Sequence, residues 1–293
     1  MDTVAVFCVI DDFCKLFEPH WQQHLLAVTP RQRQRRLRLC LSEVLTIMVN
    51  FHLSGYRTFK GYYTQHVLPH QCHYFPTLVS YQRFVELMPS ALVPLCMLLT
   101  TRFGHCSGIS FIDSTKISIC HNRRIWSHKV FRDLAARGKT SVDWFYGFKL
   151  HLVVNDCGEL LAVKVTAGNV DDRNPVWELA RALSGKLFGD RGYISQKLFE
   201  QLWAHGVQLI TKLRKNMKNR LLPLFDKLLL RKRSISETIN DQLKNISQIE
   251  HSRHRSVFNF FVNLMAGLVA YTFREKKPSL NLRLHCSLPA IVL

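Results

Sequence analysis

From about residue 107 the chain stops reading as helix and begins to read as strand, and the order that follows admits few folds. Residues 145–154 and 160–166 are β-prone runs on either side of Asn155-Asp156-Cys157-Gly158, a turn sequence, and predict an antiparallel hairpin. A helical segment at 174–183, a short strand at 187–189, a helix at 196–205 and a strand at 207–212 follow. A hairpin succeeded by strand–helix alternation requires a mixed sheet with helices laid on its faces. The expected class is α/β, a mixed sheet flanked by helices and preceded by an all-α N-terminal domain.

Acids fall at telling places in this pattern. Asp113 ends the apolar run Ile109-Ser110-Phe111-Ile112 and precedes Ser114-Thr115; Asp190 ends Leu187-Phe188-Gly189 and precedes Arg191-Gly192-Tyr193. An aspartate there is either a turn former or a ligand at the carboxyl end of a strand. Glu237 has two readings. In Ser234-Ile235-Ser236-Glu237 it completes a capping box, which would leave Asp241 or Glu250 to serve in its place. Alternatively, Glu237 and Lys244 lie seven residues apart, near 700° of helical rotation, and share one face. Arg233 joins them if the helix begins before Ser234. Such a stripe sets an acid between two phosphate-binding cations.

A formal charge of +19, from 40 basic and 21 acidic residues, favours nucleic acid or an anionic membrane surface over a neutral ligand. The stretch from residue 212 to 233 carries nine basic residues against one acid, Asp226. Residues 256–273 are uncharged and just reach the length of a membrane span. Asn259, Asn263 and Gly267 within them favour a buried helix packed on a sheet. Nine cysteines with no C-x-x-C pair indicate a reducing, cytoplasmic setting, and Cys72-His73 and Cys120-His121 lack partners at zinc spacing. Asp2, Asp11 and Asp12 argue against a signal peptide.

The first hundred residues read as helical. Ser42 is the expected cap of a helix that ends at Ser54-Gly55; a second covers 59–67, and Ser80 caps a third over 81–87. Arg31, Arg33, Arg35, Arg36 and Arg38 precede them. A helix-turn-helix-like DNA-binding module and a plain helical domain packed on its neighbour both fit.

The spacing of Arg233, Glu237 and Lys244 resembles the Y-R-E-K signature of bacterial insertion-sequence transposases of the DDE type, with Leu230 where the tyrosine would fall. Asp113 in Phe-Ile-Asp-Ser-Thr and Asp190 in Gly-Asp-Arg-Gly-Tyr are similar to that family's first and second aspartates. The segment Phe145-Tyr146-Gly147-Phe148-Lys149-Leu150-His151 is similar to one of its strands. The likeness implies an RNase H-like catalytic domain at 105–275, a helical, helix-turn-helix-like domain at 1–100 and a tail at 276–293, open to disorder. It implies that Asp113, Asp190 and Glu237 hold two Mg²⁺ ions, with Mn²⁺ as a substitute. Arg191, Lys212, Arg214, Lys215, Arg233 and Lys244 would contact DNA phosphates.

The partner so implied is double-stranded DNA, both the element's terminal inverted repeats and the target, bound by a homodimer away from any membrane. Water would free a 3′-hydroxyl that then attacks target DNA. The 46 residues between Asp190 and Glu237 leave no room for a large insertion domain, and no P-loop is present. An RNase H-like nuclease that cuts without joining shares every one of these residues. A DNA-binding protein without chemistry is the third reading.

Overall fold

The computed structural model describes residues 2–28, 38–140, 143–213, 222–250 and 255–280. It opens on a long helix, α1 (Thr3–Val28), followed by α2 (Leu41–Leu53). Ser42, the expected cap, lies inside α2 because the helix begins two residues earlier, with Cys40 as its cap: the Glu43 carboxylate accepts the Cys40 N–H at 2.8 Å. Thr58 caps α3 (Phe59–Tyr62), which passes through a π turn into α4 (Leu68–His70). Ser80 caps α5 (Tyr81–Leu87) as expected, its hydroxyl accepting the Arg83 N–H at 3.4 Å, and a 3-10 turn leads into α6 (Leu92–Thr101). Of the basic run expected before α2, only Arg38 falls among the described residues.

The sheet follows. Its strands are β1 (Ile109–Cys120), β2 (Ala136–Lys139), β3 (Trp144–Asn155) and β4 (Leu160–Ala167), then β5 (Gly185–Gly189) and β6 (Val207–Thr211) after two helices, α7 (Val176–Leu179) before β5 and α8 (Gln196–Ala204) before β6. Their order is β2-β3-β1-β5-β6, with β4 paired to β3 beyond the end of β2. β1 is antiparallel to β3 and parallel to β5, and β5 is parallel to β6. This is the mixed, RNase H-like arrangement expected, and the hairpin turn forms as read: the Asn155 side chain accepts the N–H groups of Cys157 and Glu159 at 3.0 and 2.9 Å. The helix expected over 174–183 shrinks to the four residues of α7, since residues 180–183 continue in i→i+3 turns. The chain ends in α9 (Leu224–Lys232), α10 (Ser234–Asp241), a π turn and α11 (Val257–Thr272).

Alternation along the strands divides the interior in two. Ile112 and Leu187 face a smaller core with Val176, Leu198 and Leu202 of α7 and α8. Phe111 and Phe188 face the larger core, which runs without a break through the N-terminal helices, α9, α10 and α11. α11 is the uncharged segment; Phe260 stacks on Phe148 of β3 at 5.4 Å, so the helix does lie on the sheet. Its other side packs on α2 and α6. Gly267 admits Ile249, from the segment before α11, against the helix, because a Cβ there would lie 2.4 Å from a methyl of Ile249. Among the described residues one helical stretch, Tyr81–Thr101, is long and apolar enough to cross a membrane, and Pro89 lies in the 3-10 turn within it.

Candidate active site

Backbone pairing brings Asp113 and Asp190 together. Phe111 of β1 is in parallel register with Phe188 of β5, and their rings stack at 5.5 Å between centroids, a contact of about 1 kcal/mol beyond simple burial. Two residues farther along each chain stand the acids. Side chains two apart on a strand share a face, so both acids follow the phenylalanines toward the side where Leu229, Leu230, Ile235 and Ile239 of α9 and α10 are buried. Here the sheet divides. β5 stops at Gly189, whereas β1, expected to end at Asp113, runs on to Cys120 because β3 pairs with it throughout. Asp113 is therefore a mid-strand residue, opposite Leu152. Asp190 turns the chain at once, its Oδ1 accepting the Gly192 N–H at 2.6 Å.

The third acid arrives on a helix that is held from below. Asp226, the lone acid of the basic stretch, is buried in α9 and accepts from Lys186 Nζ of β5 at 2.6 Å. The helical path continues through Arg233 (φ −55°, ψ −20°) into α10. The capping box expected at Ser234 and Glu237 is absent for that reason: no helix starts there to be capped. Glu237, whose side chain is 59% exposed, instead lies 3.0 Å from Arg233 Nη2, while Arg233 Nη1 lies 3.7 Å from Asp113 Oδ1. One guanidinium thus bridges two of the three acids. Asn240, a turn farther along α10, donates from Nδ2 to Asp113 Oδ2 at 3.1 Å.

Lys244 stands in the π turn Gln242–Ile246, and its Nζ pairs with Glu250 Oε2 at 3.1 Å. Glu250 Oε1 in turn accepts the Ser118 N–H at 3.1 Å, satisfying β1 on the edge that β5 has left open. Asp241 accepts from Asn245 at 2.6 Å. Both acids that might have replaced Glu237 are thus occupied elsewhere. Arg191 is exposed in the turn after Asp190, and Lys212 is exposed just past β6. Arg214 and Lys215 lie outside the described residues.

Burial pushes the Asp113 carboxyl up to about 6; Arg233 and the Ser114 N–H pull it down, and Asp190 and Glu237 push it up again. Asp113 therefore feels the charge of both other acids. As placed, no three His, Cys, Asp or Glu side chains among the described residues are close enough to enclose an ion. Arg233 holds the space between Asp113 and Glu237. The donor chemistry fits a hard divalent cation: two strand carboxylates, and beside them the buried Asn240 Oδ1, which has no partner among the described residues.

A polar layer that the sequence reading missed lies behind Asp113, on the opposite face of β1. His151, across the strands from Ser114, is buried; its Nε2 meets Thr166 Oγ1 at 2.8 Å, and its Nδ1 has no hydrogen-bond partner among the described residues. Burial pulls its pKa down to about 4, opposed by the nearby Asp172. Asp172 pairs with Lys149 Nζ at 2.9 Å. Burial raises the phenol of Tyr193, and Asp113, Asp172 and Asp190 raise it further. His151 and Tyr193 stand in the two motifs quoted above, but periodicity alone reads both as ordinary core positions.

A family model described as the transposase DDE domain matches residues 103–257, just over half of the chain. The match takes in all six strands and every helix from α7 to α10. No curated protein is significantly similar to the chain.

Proposed function

The chain belongs to the transposase DDE domain family, and on that premise we propose that it binds the ends of a mobile element and catalyses metal-dependent cleavage and strand transfer of DNA. The observation that carries this reading is the register that sets Asp113 and Asp190 side by side on one face, with Arg233 reaching from there to Glu237. Asp113 and Asp190 are the residues to hold a first divalent cation, and Glu237 is the residue to complete the set once Arg233 yields its place. Mg²⁺, or Mn²⁺ in its stead, would lower the pKa of an attacking hydroxyl and neutralise the leaving oxygen.

The rest falls to the protein. Burial keeps Asp113 in a low-dielectric setting, where a cation is favoured more strongly than in water. Asn240 fixes one oxygen of that carboxylate and the β1–β3 pairing fixes its backbone. Arg233, released from the acids, is placed to meet a phosphate oxygen of the scissile strand, and exposed Arg191 and Lys212 would meet phosphates on either side. Two element ends must be joined in one event, so the acting form is a homodimer on double-stranded DNA bearing terminal inverted repeats.

The test is cleavage and joining of a labelled duplex that ends in the element's terminal repeat, with Mg²⁺ present. Wild-type protein should give both products. Asp190→Ala should bind the duplex equally well and lose at least about a thousandfold in cleavage, the scale of a lost metal contribution of several kcal/mol. Cleavage without joining would make the protein a nuclease. Equal products from wild type and variant would remove the acids from the chemistry.

A further inference from the structure

Beside the Asp190 turn the fold opens a cleft of about 510 Å³ that reaches Gly192 at one end. Its far wall is the ribbon of β2 and the start of β3, from which Arg137, Lys139 and Trp144 enter it. Lys139 is directly opposite Trp144, and Arg137 is two residues back on the same face. Both cations stack on the indole, Arg137 at 4.8 Å and Lys139 at 5.6 Å from the ring centre, yet Trp144 is still 47% exposed. The cleft's other charges are already matched: Lys149 pairs with Asp172, and Arg173 with Asp171. Arg137 and Lys139 have no acidic partner among the described residues, so the cleft carries about two uncompensated positive charges next to a large exposed ring. Asn122 holds this wall in place, donating to the Trp144 carbonyl at 2.7 Å.

An exposed tryptophan flanked by free cations has the chemistry of a single-stranded nucleic-acid platform: the ring stacks a base of any identity and the cations meet the phosphates next to it. A duplex keeps its bases stacked inside and offers that ring nothing. We propose that this cleft holds an unpaired stretch of DNA strand leading away from the acids, with a base on Trp144 and its phosphates on Arg137 and Lys139. The proposal rests on the reading of the chain as a DNA-cutting enzyme and names where one strand lies when the two part. Residues 121–144 carry the signal in retrospect, with six lysines and arginines against two aspartates and with Trp126 and Trp144 among them. Trp126 is 91% exposed.

The experiment is fluorescence anisotropy with a labelled single-stranded oligonucleotide and with the same sequence as a duplex, in EDTA, over a range of salt. Trp144→Ala should weaken single-strand binding on the order of tenfold and leave duplex binding nearly unchanged, and Trp144→Phe should restore most of the loss. Arg137→Ala with Lys139→Ala should lower the slope of log affinity against log salt for the single strand by about 1.4, two charges at roughly 0.7 each. Equal losses on both forms, or no loss with Trp144→Ala, would overturn the proposal. Asp190→Ala separates it from the reading it rests on. If that variant binds single strands normally but still cleaves, the catalytic assignment falls and the cleft stands. If it loses cleavage while Trp144→Ala binds like wild type, the reverse holds.

Discussion

The guanidinium of Arg233 stands 3.7 Å from the carboxylate of Asp113, in the position where a bound cation would neutralise the same charge. The arginine is a counter-ion for Asp113 and Glu237, and on the proposed function it would become a phosphate contact once displaced.

Removing it should expose that dual role. Arg233→Ala leaves Asp113 and Glu237 without their shared cation and should cost about 1–2 kcal/mol in EDTA, less than a fully buried pair because Glu237 is mostly exposed. Millimolar Mg²⁺ should then raise the melting temperature of the variant more than that of wild type, since a cation that binds only the folded state stabilises by mass action. A melting temperature indifferent to Mg²⁺ in both proteins would show that these acids hold no cation. Arg233→Lys should fall short of wild type, because one ammonium does not reach two acids through separate nitrogens.

The pH dependence of stability should contain two opposed slopes. Asp113 titrates in the fold at about 6, above its ordinary 3.8, so the native state holds its proton more tightly and stability falls as pH rises between those values. His151 titrates at about 4, below its ordinary 6.5, so stability rises with pH between those values. Each contributes on the order of 3 kcal/mol by the size of its displacement, and in wild type they act in opposite directions. Asp113→Asn removes the first slope alone. Urea denaturation of that variant should show stability climbing more steeply from pH 4 to 6.5 than the wild-type curve does. Parallel curves would mean that Asp113 is not perturbed by its site.

The same titration should limit activity. A cation requires the ionised Asp113, so cleavage should fall as pH drops through about 6, and higher Mg²⁺ should move the inflection lower. An inflection that ignores Mg²⁺ would assign the pH effect to another group.

Lys186 and Asp226 should respond unequally. The acid is buried and the lysine a third exposed, so Lys186→Met strands a charge and Asp226→Asn does not. The first should cost about 3–5 kcal/mol and the second appreciably less. Because this pair anchors α9, and through it Arg233 and Glu237, the Lys186 change should also reduce cleavage per folded molecule. Equal losses of stability would contradict the burial asymmetry.

What could be read in the residues was largely what local rules control. The hairpin was announced by its turn, Ser80 capped its helix, and the two apolar runs ending in Asp113 and Asp190 pointed to neighbouring strands. What escaped was set by partners distant in the chain. Residues 114–118, polar and turn-like in isolation, remain strand because β3 pairs along their whole length and Glu250 satisfies Ser118 from the other side. Ser234 and Glu237 match a capping box by composition, but α9 feeds the helix from upstream, held by an ion pair to β5. Lys244 is taken up by Glu250, a partner in the segment before α11 that no periodicity reveals. The cleft beside the acids went unread because β2, β3 and the loop after β4 contribute its walls separately.

The unbroken core has a mechanical consequence. α2 packs on α11, and the segment between α10 and α11 is tied to both, with His52 of α2 bonded to the Ser247 carbonyl and Gly267 of α11 admitting Ile249. The N-terminal helices therefore share one packed core with the strands that lead to the acids. Any DNA gripped by those helices would sit at a set distance from the phosphate that Asp113 and Asp190 would address. In this protein the fold itself would act as the calliper, and the place of the cut would be measured in fixed helix-to-strand geometry rather than searched for by a swinging domain.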